Sequence, residues 1–200
     1  MAMEERRKAE EALRAAFSGK DSETMAKGVV ALKEWTGKAS ATIVYDSMVD
    51  EFTADGLFEK VGGKRNIAMV GFTTDGDVFG GFYSVAVTRQ DKDFYDQNIF
   101  AFSFESHGRC MTPQRFVVKE RQKDTANLIF WKNYIDGFVE FYVEDVIAYF
   151  LLGNERSDSY CRDMSGGFEG IKDTTLTGKN GTFGKGPYHH CTRLVAIQLS

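Results

Sequence analysis

The first segment of the chain places opposite charges at helical spacing. Such pairs recur four positions apart, a spacing that stabilises a helix in water. They are Glu4 with Lys8, Arg7 with Glu11, and Glu10 with Arg14. The pattern predicts a helix over residues 4–17 with a thin apolar stripe, and we assign residues 1–20 to an N-terminal helix that precedes a domain of residues 21–200. This helix either packs one edge on the domain or serves as a partner-binding or coiled-coil arm.

A second helix follows, and the elements then become shorter. Its apolar face comprises Met25, Val29, Val30, Leu32 and Trp35. Asp21 or Ser22 is the expected N-cap, because either side chain can accept a backbone N–H bond, and Gly37 is the expected end. Residues 41–45 predict a short strand, and Thr53 is expected to cap a short helix that stops at Gly62-Gly63.

From residue 66 onwards the pattern is typical of strands. Residues 67–73 and 78–87 predict two strands joined by an Asp75-Gly76 turn, which is a strong hairpin signal. Gly80 and Gly81 lie inside the second strand and indicate a bulge or a close backbone approach.

Alternation with a period of two is clearest over residues 98–105. Phe100, Phe102 and Phe104 point one way and the intervening residues the other, which predicts a half-buried strand. Further strands are predicted at 115–120, 127–131, 138–143, 146–151 and 194–199, with a long polar, glycine-rich loop at 152–186. Helices followed by many antiparallel strands predict an α+β fold whose core is a β-sandwich or a strongly curved sheet.

The composition and charge of the chain limit the classes of protein to which it can belong. The 200 residues, 42% of them hydrophobic, suit one domain with a substantial core. The net charge of -4 lacks the basic balance that nucleic-acid binders usually carry. No apolar stretch approaches the ~18 residues that span a bilayer, and charges occupy the place of a signal-peptide core. We therefore expect a cytoplasmic or nuclear protein without a transmembrane segment.

The cysteines and histidines are the candidates for a metal site or a reactive thiol. The three cysteines, Cys110, Cys161 and Cys191, are odd in number and widely spaced, unlike a disulfide framework or a zinc ribbon. His189 and Cys191 could share one strand face, and Cys161, Cys110 or His107 could complete a zinc site with nitrogen and sulfur ligands. Cys110 and Cys161 neighbour arginines and could be reactive thiols. Ordinary packed or surface side chains explain the same residues more simply.

Other patterns lack the context that their chemistry needs. Gly76 and Gly80-Gly81 are not followed by the lysine and hydroxyl residue of a P-loop. Ser165-Gly166-Gly167 lies in a predicted loop rather than in a strand-to-helix elbow. The basic run Lys119–Lys123 is expected at a hairpin tip, without the interleaved aromatics of a nucleic-acid surface. We therefore predict no catalytic residue, no cofactor and no metal ligand.

The hairpin region resembles a known family. An apolar strand over residues 67–73 meets the Asp75-Gly76 turn and continues as Val78-Phe79-Gly80, and this run resembles the central signature of TLDc domains. Further along, Phe100-Ala101-Phe102-Ser103 resembles the aromatic strand of that family, and Ser157–Cys161 resembles its S-x-S-x-C stretch. Similar features follow the family's order over residues 25–199.

The resemblance implies a fold and a function. TLDc domains are β-sandwiches flanked by helices, so the matched residues are expected to be structural. These residues are Asp75, Gly76, Val78, Phe79, Gly80, Phe100, Phe102, Ser103, Ser159 and Cys161. The family is associated with resistance to oxidative stress. Several members are linked to the vacuolar proton-pumping ATPase and some to transcriptional coregulation, and no catalytic mechanism is established for it.

Three functional hypotheses follow. The first is a non-enzymatic TLDc-like interaction domain in oxidative-stress protection, whose partners could include proton-pumping ATPase subunits and could dock on the 152–186 loops and the N-terminal helix. The alternative is a nucleic-acid-binding or transcription-regulating protein of the stress response, which requires a local basic patch. An enzyme would require a Cys or His in a cleft with a perturbed environment.

Overall fold

Two antiparallel sheets pack face to face, and helices cover one of them. A computed structural model describes residues 2–200. The helices are α1 (Ala2–Ala15), α2 (Gly19–Thr36), α3 (Ala54–Val61) and α4 (Met164–Gly167). The strands are β1 (Ala41–Asp46), β2 (Ile67–Thr73), β3 (Val78–Tyr83), β4 (Phe94–Tyr95), β5 (Phe100–Glu105), β6 (Gln114–Val117), β7 (Ala126–Phe130), β8 (Val139–Val143), β9 (Ala148–Leu152), β10 (Cys161–Arg162) and β11 (Cys191–Leu199).

The strands divide into a larger and a smaller sheet. Sheet A has the order β1-β11-β2-β3-β5-β6, and sheet B has the order β10-β9-β8-β7-β4. The last strand, β11, lies between β1 and β2, so the C-terminal segment completes the sheet that the signature hairpin begins. The predicted α+β class, an antiparallel β-sandwich flanked by helices, is confirmed.

Helices α1 and α2 pack on the outer face of sheet A. Leu13 of α1 is buried there, and Phe17, just after that helix, stacks on Phe72 of β2 with ring centroids 5.8 Å apart. Arg193 of β11 donates to the Ala16 carbonyl at 2.9 Å and lies 4.2 Å above the Phe17 ring. The N-terminal helix is therefore part of the packed body, and the predicted boundary between residues 20 and 21 falls inside α2.

The expected N-cap of α2 is wrong, and its expected end is right. The helix begins at Gly19 with Ser18 in the cap position, so neither Asp21 nor Ser22 caps it. Gly19 has a φ of 55°, a left-handed conformation that glycine adopts without strain, and the chain reverses there directly after α1. Gly37 ends the helix at a φ of 67°, with its N–H bonded to the Lys33 carbonyl.

The strand predicted as half-buried is covered on both sides. Phe100, Phe102 and Phe104 of β5 face the helices, whereas Ala101 faces sheet B. A Cβ atom on Gly28 of α2 would lie 2.5 Å from the Phe104 ring, so glycine lets the helix approach the strand. The alternation of side chains is as predicted, but a second layer buries the side expected to meet water.

Aromatic rings fill the space between the sheets. Phe141 of β8 stacks on Phe150 of β9 with ring centroids 4.9 Å apart. A Cβ on Gly81 would lie 2.7 Å from the Phe141 ring, and one on Gly80 would lie 1.7 Å from the Met69 carbonyl oxygen. The close approach predicted for the two glycines is therefore present.

Two predictions for the second half of the chain are wrong. The basic run at residues 119–123 is not a hairpin tip, because a 3-10 helix at Glu120–Thr125 carries the chain from β6 of sheet A to β7 of sheet B. Residues 152–186 do not form a plain surface loop, since they include β10 and α4. Single apolar residues of this segment, among them Met164, Phe168 and Leu176, insert into the core between the sheets.

Within residues 2–200, none of the helices is long and apolar enough to span a membrane.

Candidate interaction face

The signature hairpin is held by a buried carboxylate. Asp77 is 2% exposed, and its Oδ1 accepts from Arg109 Nη2 at 2.5 Å and lies 2.9 Å from His107 Nδ1. Arg109 also donates to the Thr175 and Leu176 carbonyls. The group thus joins the hairpin to the loop after β5 and to the segment before β11, which is a structural role.

The tip of the hairpin is tied to the same segment. Gly76 has a φ of 83°, as the second residue of an Asp-Gly turn requires. Asp75 pairs with Lys179 at 2.5 Å, and Lys179 also donates to the Tyr188 carbonyl at 2.9 Å. Val78 and Phe79 are buried beside this turn. These contacts account for the Asp75-Gly76 pattern without a ligand.

The His107–Asp77 pair resembles two members of a hydrolytic triad, and a triad would need a nucleophile on the other ring nitrogen. The neighbouring Ser106 hydroxyl accepts from the Cys110 N–H at 2.7 Å instead. In the part of the chain that the structure describes, no hydroxyl or thiol hydrogen-bonds to His107 Nε2. The geometry therefore does not assemble a nucleophile with this histidine.

The other cysteine and histidine candidates lie in the core. Cys161 and Cys191 are free and buried. Burial raises the pKa of both thiols, that of Cys191 to about 12, so neither supplies thiolate near neutral pH. Burial also lowers the pKa of His189 to about 4, and its Nε2 lies 3.0 Å from the Leu151 carbonyl. Such an environment favours an inert, neutral imidazole.

The structure does not bring the candidates together as a metal site. His107 and Cys110 belong to the loop after β5, whereas Cys161, His189 and Cys191 lie where β10 and β11 meet the core. Among residues 2–200, no group of three or more His, Cys, Asp or Glu side chains is placed to hold a metal ion.

Both of the expected structural serines are buried. Ser159 donates from its hydroxyl to the Asp136 carbonyl at 2.5 Å and its carbonyl accepts from the His189 N–H at 2.7 Å. It therefore links three segments that are distant in sequence. Ser103 lies in β5, and its hydroxyl has no hydrogen-bond partner within the described chain.

A different surface stands out on the outer face of sheet B, which we call the tyrosine face. It comprises Tyr95, Trp131, Tyr134, Asp136, Glu140, Tyr142, Tyr149, Tyr160 and Tyr188. In β8, Val139, Phe141 and Val143 point into the core, so Glu140 and Tyr142 point outward. Tyr142 pairs with Tyr149 of β9 on one side and with Asn127 of β7 on the other. The strand period thus places these polar aromatic residues on one side of the sheet.

The rings of the tyrosine face support one another. Tyr149 and Tyr160 join through their hydroxyls at 2.7 Å, and Tyr149 meets Tyr142 edge-on at a centroid distance of 5.7 Å. Trp131 lies against Tyr134 with centroids 4.8 Å apart. Tyr149 and Tyr160 are buried, whereas Tyr134, Tyr142 and Tyr188 are only partly buried. The result is a fixed aromatic surface whose outer rings remain accessible.

Two acidic groups lie among these rings. Trp131 Nε1 donates to Glu140 Oε2 at 2.9 Å. Burial raises the pKa of Glu140 to about 7, and Asp93 and Asp136 add to the rise. Asp136 is 3% exposed, and burial raises the pKa of its carboxyl as well. The face therefore combines aromatic rings with carboxylates in a partly dry setting.

Apolar and aromatic side chains beside the acids remain open to solvent. Ile135 is 68% exposed and Tyr95 is 57% exposed. No residue of α1 to α4 belongs to the cluster of Tyr149, Leu151 and Tyr160, for the part of the chain that the structure describes. Sequence reasoning missed this face. The sequence pattern that could have predicted it is the alternation of Glu140 and Tyr142 with apolar residues in β8.

Comparison with known proteins identifies the family. Residues 22–136 match the family model of the TLDc domain, which is more than half of the 200 residues. No curated protein matches the chain. The matched range contains the hairpin and β5 but ends before Ser159, Cys161 and β11, so the resemblance of those residues stays a prediction. The extent of the match shows that this chain belongs to the TLDc domain family.

Proposed function

We propose that this chain is a non-enzymatic protein-interaction domain of the TLDc type that acts in oxidative-stress protection, in the cytoplasm or nucleus. The observation that carries the proposal is the tyrosine face, an aromatic surface whose ring cluster includes no residue of the described helices. Tyrosine and tryptophan are enriched at protein interfaces, because they bury large area with few rotatable bonds while their polar ends stay satisfied. The rigid sheet beneath them presents a preorganised surface.

The family resemblance points to subunits of a proton-pumping ATPase as candidate partners. Binding of nucleic acid is the alternative, and it would use the basic residues near the 3-10 helix. There Lys119 donates to the Ser165 carbonyl, Lys123 pairs with Glu120, and Arg115 donates to the Trp35 carbonyl. Because these contacts already engage the three cations, we favour a protein partner.

Affinity capture from native extract tests the proposal with matched variants. Wild type is compared with the double variant Tyr95→Thr/Tyr142→Thr, which removes two outer rings but keeps strand-forming side chains. Val30→Thr is the control, since Val30 is 65% exposed on α2, away from sheet B. Proton-pump subunits, or another specific protein, should be captured by wild type and control and lost with the double variant.

Three results would contradict the proposal. Equal capture by the double variant would exclude the tyrosine face, and recovery of nuclease-sensitive material alone would favour nucleic-acid binding. Peroxide turnover that Cys110→Ser abolishes would instead indicate an enzyme. Deletion of residues 1–20 is a poor test, because it would remove Leu13 and Phe17 from the core and destabilise the fold.

A further inference from the structure

Asp136 carries a buried carboxylate oxygen without a partner. Its side chain is 3% exposed, and Oδ2 accepts no hydrogen bond from any described residue. Burial raises the pKa of this carboxyl; a hydrogen bond from the Tyr134 side chain opposes the rise, and the charge of Asp158 reinforces it. Buried polar atoms in folded proteins are normally hydrogen-bonded. The Tyr134 hydroxyl already hydrogen-bonds the carboxyl, and Oδ2 remains open to a further donor.

The position of Asp136 is fixed by the segment before β10. The Ser159 hydroxyl donates to the Asp136 carbonyl at 2.5 Å, and the Asp158 N–H donates to the Ile135 carbonyl at 3.3 Å. These two bonds hold the turn between β7 and β8 against residues 158–159. A carboxylate held in this way loses little conformational freedom when a ligand arrives, which favours binding.

Negative charge accumulates around Asp136 without compensation. Asp158 acts on Asp136, while Asp93 and Asp136 act on Glu140, and each of these interactions opposes ionisation. No lysine or arginine is among the groups that shift the pKa of either carboxyl. A positive charge brought by a ligand would relieve this repulsion and pair with a carboxylate in a partly dry setting.

The surrounding rings suit an organic cation. Trp131 and Tyr134 lie 4.8 Å apart with an interplanar angle of 34°, and aromatic faces of this kind attract guanidinium and ammonium groups. The chain contains an example, because the Arg162 guanidinium lies 6.0 Å from the Tyr149 ring centroid. A metal ion would need several oxygen, nitrogen or sulfur ligands, and among residues 2–200 no group of three or more His, Cys, Asp or Glu side chains is placed to hold one.

We propose that the tyrosine face binds an arginine side chain of a partner protein, with Asp136 Oδ2 as acceptor and the Trp131 and Tyr134 rings beside the guanidinium. This inference rests on the proposed interaction function and specifies the chemistry of the partner. Arginine fits better than lysine, because a planar guanidinium donates to a carboxylate and stacks on aromatic rings at the same time. Trp131, Tyr134 and Asp136 lie at the end of the matched family range, and the other acid, Glu140, lies beyond it.

The test is a titration of the full chain with N-ethylguanidinium chloride at low salt, followed by NMR. The chain has 2 tryptophans, so the indole N–H of Trp131 is the reporter. That of Trp35, which lies on α2 and packs edge-on against Phe100 of sheet A, is the internal control. A saturable shift of the Trp131 signal alone is expected. Neutral N-ethylurea, which has the same shape, should cause no saturable shift.

Variants locate the acceptor. Asp136→Asn keeps the shape of the side chain and should weaken N-ethylguanidinium binding about tenfold or more, because a charge-assisted hydrogen bond is lost. Glu34→Gln removes the same charge on α2 and should bind as wild type does. If Asp136→Asn fails to fold, Glu140→Gln provides the second variant and should weaken binding about threefold through lost attraction alone. Equal shifts with N-ethylurea, or unchanged binding by Asp136→Asn or its substitute, would overturn the inference.

The outcome is separable from that of the capture experiment. If capture depends on Tyr95 and Tyr142 but Asp136→Asn changes neither capture nor N-ethylguanidinium binding, the interaction function stands and the arginine inference fails. If N-ethylguanidinium binds through Asp136 but no partner depends on the face, the cation site stands and the proposed function fails.

Discussion

The outer faces of the two sheets differ in the kind of ring they carry. Sheet A presents phenylalanines, including Phe72, Phe82 and Phe102, and buries them under α1 and α2. The outer face of sheet B presents tyrosines, and no described residue of α1 to α4 belongs to its cluster of buried rings. Phenylalanine has no polar atom to satisfy, whereas the tyrosine hydroxyl needs a partner or water. The choice of ring therefore separates a surface that helices cover from the one that we propose as the docking surface for a partner.

The two faces are also held together differently. On sheet A, Phe82 stacks on Phe100 and Phe102 stacks on Phe104, with centroids 4.8 and 4.6 Å apart. On sheet B, hydroxyl and carboxylate groups add hydrogen bonds between the rings. Truncation on sheet A should therefore affect stability, and truncation of the outer rings on sheet B should affect binding.

The largest effect is expected from Phe102→Ala on sheet A. Phe102 is fully buried between β5 and the helices. Loss of its ring should lower the free energy of unfolding by about 3–5 kcal/mol, as measured by urea denaturation. Binding of N-ethylguanidinium by the folded fraction should not change. A loss below about 1 kcal/mol would mean that the helices do not pack on this face as described.

The second prediction concerns the turn of the hairpin, where Asp77 belongs to neither outer face. Asp77→Asn leaves Arg109 without its charged acceptor and should destabilise the fold by about 2–3 kcal/mol, less than a fully buried pair because Arg109 is partly exposed. The unfolding midpoint in urea should fall, while capture of a partner at low temperature persists. Loss of capture without loss of stability would assign a functional role to the hairpin instead.

Local signals in the sequence were sufficient for the hairpin and for the family. The Asp75-Gly76 turn, Gly37 as helix end and the Thr53 cap, which accepts from the Gly56 N–H at 3.1 Å, each depend on neighbouring residues. The N-cap of α2 failed because Gly19 admits a left-handed turn that a propensity argument does not foresee. Single-residue preferences thus succeeded where the local side chain itself makes the cap or turn, and failed where a glycine conformation set the helix start.

The sheet arrangement could not be read from the sequence, because it depends on contacts between distant residues. A period of two in β5 or β8 shows that two faces exist but not what covers each of them. The chain passes from sheet A to sheet B through a 3-10 helix. The sequence of this helix is polar, like that of an ordinary surface turn. Ser159, 23 positions away, fixes Asp136 through a hydrogen bond. Because this contact is distant in sequence, the residues around Asp136 do not predict its burial.

The third prediction uses the pH dependence of sheet B. Glu140 has a pKa of about 7 in the fold against an ordinary value of 4.5, so the folded state holds its proton more tightly than the unfolded state. Stability from this group is fully present below about pH 4.5 and is lost as pH rises through 7. Glu140→Gln should therefore be more stable than wild type at pH 8, by about 1–2 kcal/mol.

Urea denaturation at pH 5 and pH 8 measures this effect. The gain should shrink at pH 5, where wild type carries a mostly neutral Glu140. Glu34→Gln, at an exposed position of α2, should show no such difference between the two pH values. An equal effect of Glu140→Gln at both pH values would mean that the carboxyl is not desolvated, and the contrast between the faces would weaken.

The smallest effect on stability is expected from Tyr142→Thr, and it is the sharpest test of the contrast. Tyr142 is only partly buried. Threonine keeps the strand preference of β8, so the free energy of unfolding should fall by no more than about 1 kcal/mol. Partner capture should nevertheless weaken, since an accessible interface tyrosine commonly contributes more to binding than to folding. If stability instead fell as far as in Phe102→Ala, the tyrosine face would be a packing surface like that of sheet A, and its openness would not indicate a partner.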